Sequence, residues 1–119
     1  TIPFLAWRMT LGSMIPALHE KAPQGAIAYL KRLYYDTAIS ATPYALNSLR
    51  VLVDSSHILF GSDSPFLPEP LVKTSIQGLE TYPDFDASTR ASIDRHNALA
   101  LFPRLANATI DVGQAVFAG

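Results

Sequence analysis

The run Ile58-Leu59-Phe60-Gly61, cut off by Ser62-Asp63-Ser64-Pro65-Phe66, constrains this chain more than any other stretch. With no polar residue on either face, Ile58–Gly61 reads as a short strand buried on both sides, the pattern of a parallel sheet covered by helices. Pro65 and Pro68 cannot donate to a ladder and forbid the strand from continuing. One carboxylate, Asp63, is left at the strand's carboxyl end. In α/β barrels that end holds the catalytic groups and metal ligands. The plainer alternative is a turn residue whose carboxylate accepts N–H groups of its own loop.

A second short segment, Tyr34–Thr37, is aromatic and is followed by Ala38 and by a Ser-Ala-Thr-Pro turn at 40–43. It reads as another strand. Thr42 is placed to cap a helix with Pro43 at its first position, and that helix, Pro43 to Val53, turns Leu46, Leu49 and Val53 inward. Upstream, Phe4, Leu5, Met9, Leu11, Ile15 and Leu18 recur near helical spacing, so Thr1 to Leu18 is predicted helical, with Gly12 and Pro16 interrupting it. A short helix is expected over Gln24–Leu33. After Asp63 come a proline-rich loop, a helix over Pro70–Thr81, a helix capped by Asp86 over Ala87–Arg95, and a last turn or two over Asn97–Phe102. The tail from Asn107 has weak periodicity and is expected to hang loose.

Strands alternating with helices, through connections too long for hairpins, predict parallel pairing by right-handed crossovers. The fold class is therefore α/β. Two buried strands cannot close on themselves, and a two-stranded sheet leaves both edges unpaired. The chain has 119 residues, whereas a (β/α)8 barrel needs about 250. It also opens Thr1-Ile2-Pro3 without a Met. We therefore expect an incomplete piece of a larger barrel, completed by the rest of that barrel or by a partner copy.

Nine basic and ten acidic residues are scattered singly, for a net charge of −1. No basic stripe is available to neutralise phosphates, so nucleic acid is not an expected partner. No apolar run reaches the roughly 20 residues of a membrane helix, so a membrane is not expected either. Cysteine is absent, which excludes disulfides and thiolate metal sites. Cytoplasm is the default compartment for such an enzyme.

Taken together, Tyr34-Tyr35-Asp36-Thr37-Ala38, the Gly61-Ser62-Asp63-Ser64-Pro65-Phe66 loop and Asn97-Ala98-Leu99 resemble the amidohydrolase-related superfamily, in its aminocarboxymuconate-semialdehyde decarboxylase branch. The resemblance covers most of the chain but only the last third of such an enzyme. It implies that residues 1–119 are the C-terminal portion of a TIM barrel, with strands 7 and 8. It further implies that Asp63 is a catalytic metal ligand, holding a divalent ion, usually zinc, that activates water or hydroxide. Arg8, after Pro3-Phe4-Leu5-Ala6-Trp7, matches an arginine that holds the substrate carboxylate, in some cases across a dimer interface. A guanidinium fork suits that task; the alternative is a solvated helix residue. Asp36 ends the other strand at the same mouth, so it and Thr37 face the site, with Asp36 a substrate-binding candidate. Its alternative is a turn cap or the partner of a buried cation. Asn97 is implied to be structural, capping the last helix or bonding the loop that carries Asp63. Here Arg95-His96 precedes it where the family has small residues.

His19, His57 and His96 are far apart in sequence and none is a ligand candidate. The family's His-x-His and its later histidines are not in this chain, so no metal is expected on it alone. Two function classes follow. One is part of a metal-dependent hydrolase or non-oxidative decarboxylase acting on a small carboxylated substrate, working as a homo-oligomer or with the remainder of its barrel. The other is a non-catalytic fragment or association module.

Overall fold

A computed structural model describes residues 2–106. The expected tail from Asn107 lies outside the described residues. The first helical stretch divides where Gly12 and Pro16 predicted. Helix α1 spans Ile2–Thr10, a tight 3-10 turn spans Leu11–Met14, and α2, with Pro16 at its start, spans Pro16–Lys21. Helix α3 is only Ala26–Leu30, shorter than its pattern suggested. Gly25 enters it at φ +77°, a conformation that favours glycine.

Strand β1, Tyr35–Asp36, and strand β2, Ile58–Leu59, pair in parallel, with Tyr35 opposite Ile58 and Asp36 opposite Leu59. The Thr37 N–H donates to the Leu59 carbonyl at 3.0 Å and carries the pairing one step further. Between them runs helix α4, Pro43–Leu52. The Thr42 hydroxyl accepts from the Ala45 N–H at 3.4 Å, Pro43 takes the first position, and Leu46, Leu49 and Leu52 are buried. Those leucines join Ile58, which is 0% exposed, in a single apolar cluster with Leu30, Leu79, Tyr82, Phe85 and Ile93.

Helix α5, Glu69–Glu80, passes Gly78 close against Ala41: a Cβ there would lie 2.1 Å from the Ala41 carbonyl oxygen. Asp86 caps α6, Ala87–Ala91, by accepting from the Thr89 N–H at 2.7 Å. The helix then widens into a π turn over Ser92–His96 before α7, Asn97–Leu101. In that turn the Asn97 N–H reaches Ser92, five residues back, and the Ile93 carbonyl instead accepts from the Phe60 N–H at 3.0 Å. A π turn leaves a carbonyl to a partner outside the helix, and here that partner continues β2.

Candidate active site

The candidate site stands where both strands end. Asp36 closes β1 and is exposed; its Oδ1 accepts from the Ala38 N–H at 2.8 Å, an Asx turn. Opposite it comes Gly61, whose added Cβ would meet the Asp36 Cβ and Oδ1 at 3.1 Å. A larger residue there would have to push the Asp36 side chain aside by a few tenths of an ångström. Thr37 does not face the site, although its place at the strand's carboxyl end predicts that it should. It is 1% exposed, and its hydroxyl turns to the backbone of Gly61, accepting from the N–H at 3.2 Å and lying 3.4 Å from the carbonyl oxygen.

Asp63 is exposed, two residues beyond Gly61, with φ +59°. Its carbonyl accepts from the Leu67 N–H at 2.8 Å, closing the loop. Ile39, just after β1, has φ +54°, which is unusual for a β-branched residue. Backbone of this kind costs of order 1–3 kcal/mol and gathers at ligand and catalytic sites. Both strand ends carry it.

A cavity of about 650 Å³ opens beside β1, between the start of α1 and the start of α4. Asp36, Tyr34, Tyr35, Ser40 and Tyr44 line it along with Phe4. The Tyr35 hydroxyl donates to the Leu30 carbonyl at 2.9 Å, and burial pushes its phenol pKa up. Tyr34 stacks on His57, ring centroids 4.6 Å apart. His57 lies within 3.0 Å of the Leu33 carbonyl, at the start of β2 and away from Asp63.

Arg8 sits in the last turn of α1, exposed, and does not line that cavity. Of the three sequence-predicted site residues, the fold thus gathers Asp36 and Asp63 at one end of the sheet and leaves Arg8 elsewhere. Asn97 is structural, as expected, but acts at the other end of β2. Its buried amide donates to the Ser55 and Ile58 carbonyls, each at 2.8 Å, rather than to the Asp63 loop.

Among the described residues no three His, Cys, Asp or Glu side chains converge to hold a metal ion. The exposed Asp63 carboxylate is chemically suited to be one oxygen ligand and does not by itself make a metal site. Two features were missed in the sequence. The Thr37–Gly61 contact was signalled only by a glycine preceding the aspartate, and the Ile93 carbonyl by nothing local.

The chain is similar in sequence to three fungal proteins. Over 106 residues the chain is 33% identical to 6-methylsalicylic acid decarboxylase of Penicillium expansum, covering 88% of this chain and 32% of that protein. It is 38% identical over 79 residues to 6-methylsalicylic acid decarboxylase acuB of Aspergillus aculeatus, 63% of this chain and 23% of that one. Decarboxylase yanB of Aspergillus niger is 24% identical over 107 residues, 87% of this chain and 29% of that one. Its relatives are decarboxylases. The chain spans about a third or less of the length of these curated relatives. No family model and no solved structure matches it. Among the described residues, no helix is long and apolar enough to cross a membrane.

Proposed function

We propose that this chain forms the C-terminal portion of a metal-dependent, non-oxidative decarboxylase of the amidohydrolase-related type, acting on a small aromatic carboxylic acid. The observation that carries the reading is the parallel β1–β2 pair with Asp36 and Asp63 both at its carboxyl end, the end that faces the site in a (β/α)8 barrel. Similarity to proteins named decarboxylases favours that chemistry over hydrolysis.

In this reading Asp63 would hold a divalent ion, zinc by preference, with ligands supplied by the remainder of the barrel. When bound, such an ion polarises substrate oxygens and lowers the pKa of water. The chain's own residues do the rest. The left-handed turn at Asp63 presents its carboxylate outward, and Asp36, tied down by the Ala38 N–H, contributes fixed negative charge beside the substrate. Arg8 would bind the substrate carboxylate bidentately. Because it lies outside the cavity beside Asp36, it does so from across a subunit boundary. A homo-oligomer is part of the proposal for that reason.

The test is carbon dioxide release from 6-methylsalicylic acid by the full-length protein. Turnover is expected to disappear with a chelator, return with zinc, and be abolished by Asp63→Asn. Full activity of Asp63→Asn would remove the metal assignment. A second reading, a non-catalytic association module, is favoured by the apolar side chains that α1 and the turn after it expose, Phe4, Trp7 and Met14 among them. Full-length protein that assembles normally but neither binds zinc nor releases carbon dioxide when zinc is supplied would establish it instead.

A further inference from the structure

We propose that Thr37 is a positioning residue for Asp63, acting through the backbone of Gly61. This rests on the decarboxylase reading only in that Asp63 is taken as the working carboxylate. Thr37 and Asn97 are the buried polar side chains among the described residues, and a buried hydroxyl needs a partner. Here both its hydrogen-bonding roles go to one residue. The Gly61 N–H donates to it at 3.2 Å, and it donates in turn, over a longer 3.4 Å, to the Gly61 carbonyl.

By Gly61 the ordinary ladder has ended. Leu59 is the last paired residue of β2, and the Phe60 N–H has gone to the carbonyl of Ile93. Without Thr37, neither backbone group of Gly61 has a partner among the described residues. Beside it a Cβ added to Gly61 would lie 3.1 Å from the Asp36 Cβ and Oδ1, so the Asp36 side chain would have to shift to admit one. Asp36, the last residue of β1, and Thr37 just after it therefore both close on Gly61. Two residues later the chain makes its left-handed turn at Asp63. Any slide of Gly61 along or away from β1 moves the base of that turn and changes the spacing of the two carboxylates. Residues that orient a ligand without touching the ion matter in this way.

The experiment compares wild type, Thr37→Val, Thr37→Ser and Gly61→Ala in the full-length protein. Valine keeps the shape and removes both hydrogen bonds, and serine keeps the hydroxyl. Gly61→Ala disturbs the same contact from the Asp36 side, should Thr37→Val fail to fold. Thr37→Val is expected to speed amide exchange at Gly61 while that at Ile58 is unchanged, and to shift the Asp63 amide resonance. It should weaken zinc affinity, measured by competition with a chromogenic chelator, and lower kcat by about 10–100-fold, with KM changed less. Gly61→Ala should do the same, and Thr37→Ser should stand close to wild type on every readout. Wild-type zinc affinity and kcat in Thr37→Val would overturn the proposal, as would serine failing as badly as valine. If wild type neither binds zinc nor releases carbon dioxide, the decarboxylase reading falls. Thr37 is then judged on the Gly61 exchange and the Asp63 resonance alone: both unmoved in Thr37→Val overturns it, and both moved sustains it.

Discussion

The first 18 residues and the β1–α4–β2 unit are both richly apolar in sequence and opposite in the fold. From Ile2 to Leu18 only Ala6 is buried, while Phe4 is 84% and Trp7 77% exposed. In the second region Leu46, Leu49, Leu52, Val53 and Ile58 are all buried, closed over by Ile93, Leu79 and Phe85 from distant parts of the chain. Helical spacing of apolar residues records that a face is covered without recording by what. For α4 the cover is within the chain. For α1 most of it is not supplied by the described residues, and an exposed apolar surface of that kind is the signature of an interaction site. Among the described residues the N-terminal helices thus stand at the edge, and the β–α–β unit forms the local core.

The largest effect tests that contrast directly. Ile58→Ala removes a fully buried side chain and should cost about 2–5 kcal/mol in urea unfolding. Trp7→Ala should change the stability of the 119-residue chain by no more than about 0.5 kcal/mol, as exposed substitutions do. In the full-length protein the same change should cost about 3–5 kcal/mol if Trp7 is covered there. Equal effects of Trp7→Ala in the two forms would break the comparison.

Sequence alone carried much of this core. Thr42-Pro43 announced α4, Asp86 its helix, and the run at Ile58 a buried strand that pairs in parallel with Tyr35–Asp36, because caps and short apolar runs are local signals. The carboxylates at the strand ends were legible for the same reason. What stayed hidden depends on contacts far apart in sequence. Nothing near Ser92 foretells a π turn whose Ile93 carbonyl serves Phe60, and nothing near Thr37 says that its hydroxyl serves Gly61 rather than the site. Arg8 was singled out only through resemblance, and it stands exposed in the last turn of α1.

Gly78→Ala should be the next largest. In a helix interior, alanine is favoured over glycine by about 0.5–1 kcal/mol. Here the new methyl would meet the Ala41 carbonyl oxygen at 2.1 Å, and backbone cannot swing aside like a flexible side chain. Net destabilisation of about 1–3 kcal/mol is expected, and a stabilised variant would show that α5 sits farther from the Ala41 turn. At the foot of β2, Asn97→Ala should cost about 1–3 kcal/mol, since it leaves the Ser55 and Ile58 carbonyls without their donor. Its effect should fall on stability and leave the behaviour of Asp63, at the opposite end, unchanged. A larger change in zinc affinity than in stability would mean the two ends of β2 are coupled.

The smallest effect is acid sensitivity. The Ser56 N–H holds the Asp54 carboxylate below its usual range, and the Thr89 N–H does the same for Asp86. With the folded pKa depressed in both, the unfolded chain binds protons more readily near pH 4. Stability from these caps is therefore complete above the unfolded value of about 4. It is lost as pH falls through the folded values. Both side chains are exposed, so the loss is small. Thermal unfolding of wild type and of the Asp54→Asn/Asp86→Asn double variant between pH 7 and pH 3 isolates it. Asparagine caps helices about as well as aspartate, so the two proteins should melt alike at neutral pH, and the double variant should lose less on acidification. Identical acid slopes would assign the acid response to carboxylates elsewhere, Asp84 beside Arg50 being the first to examine.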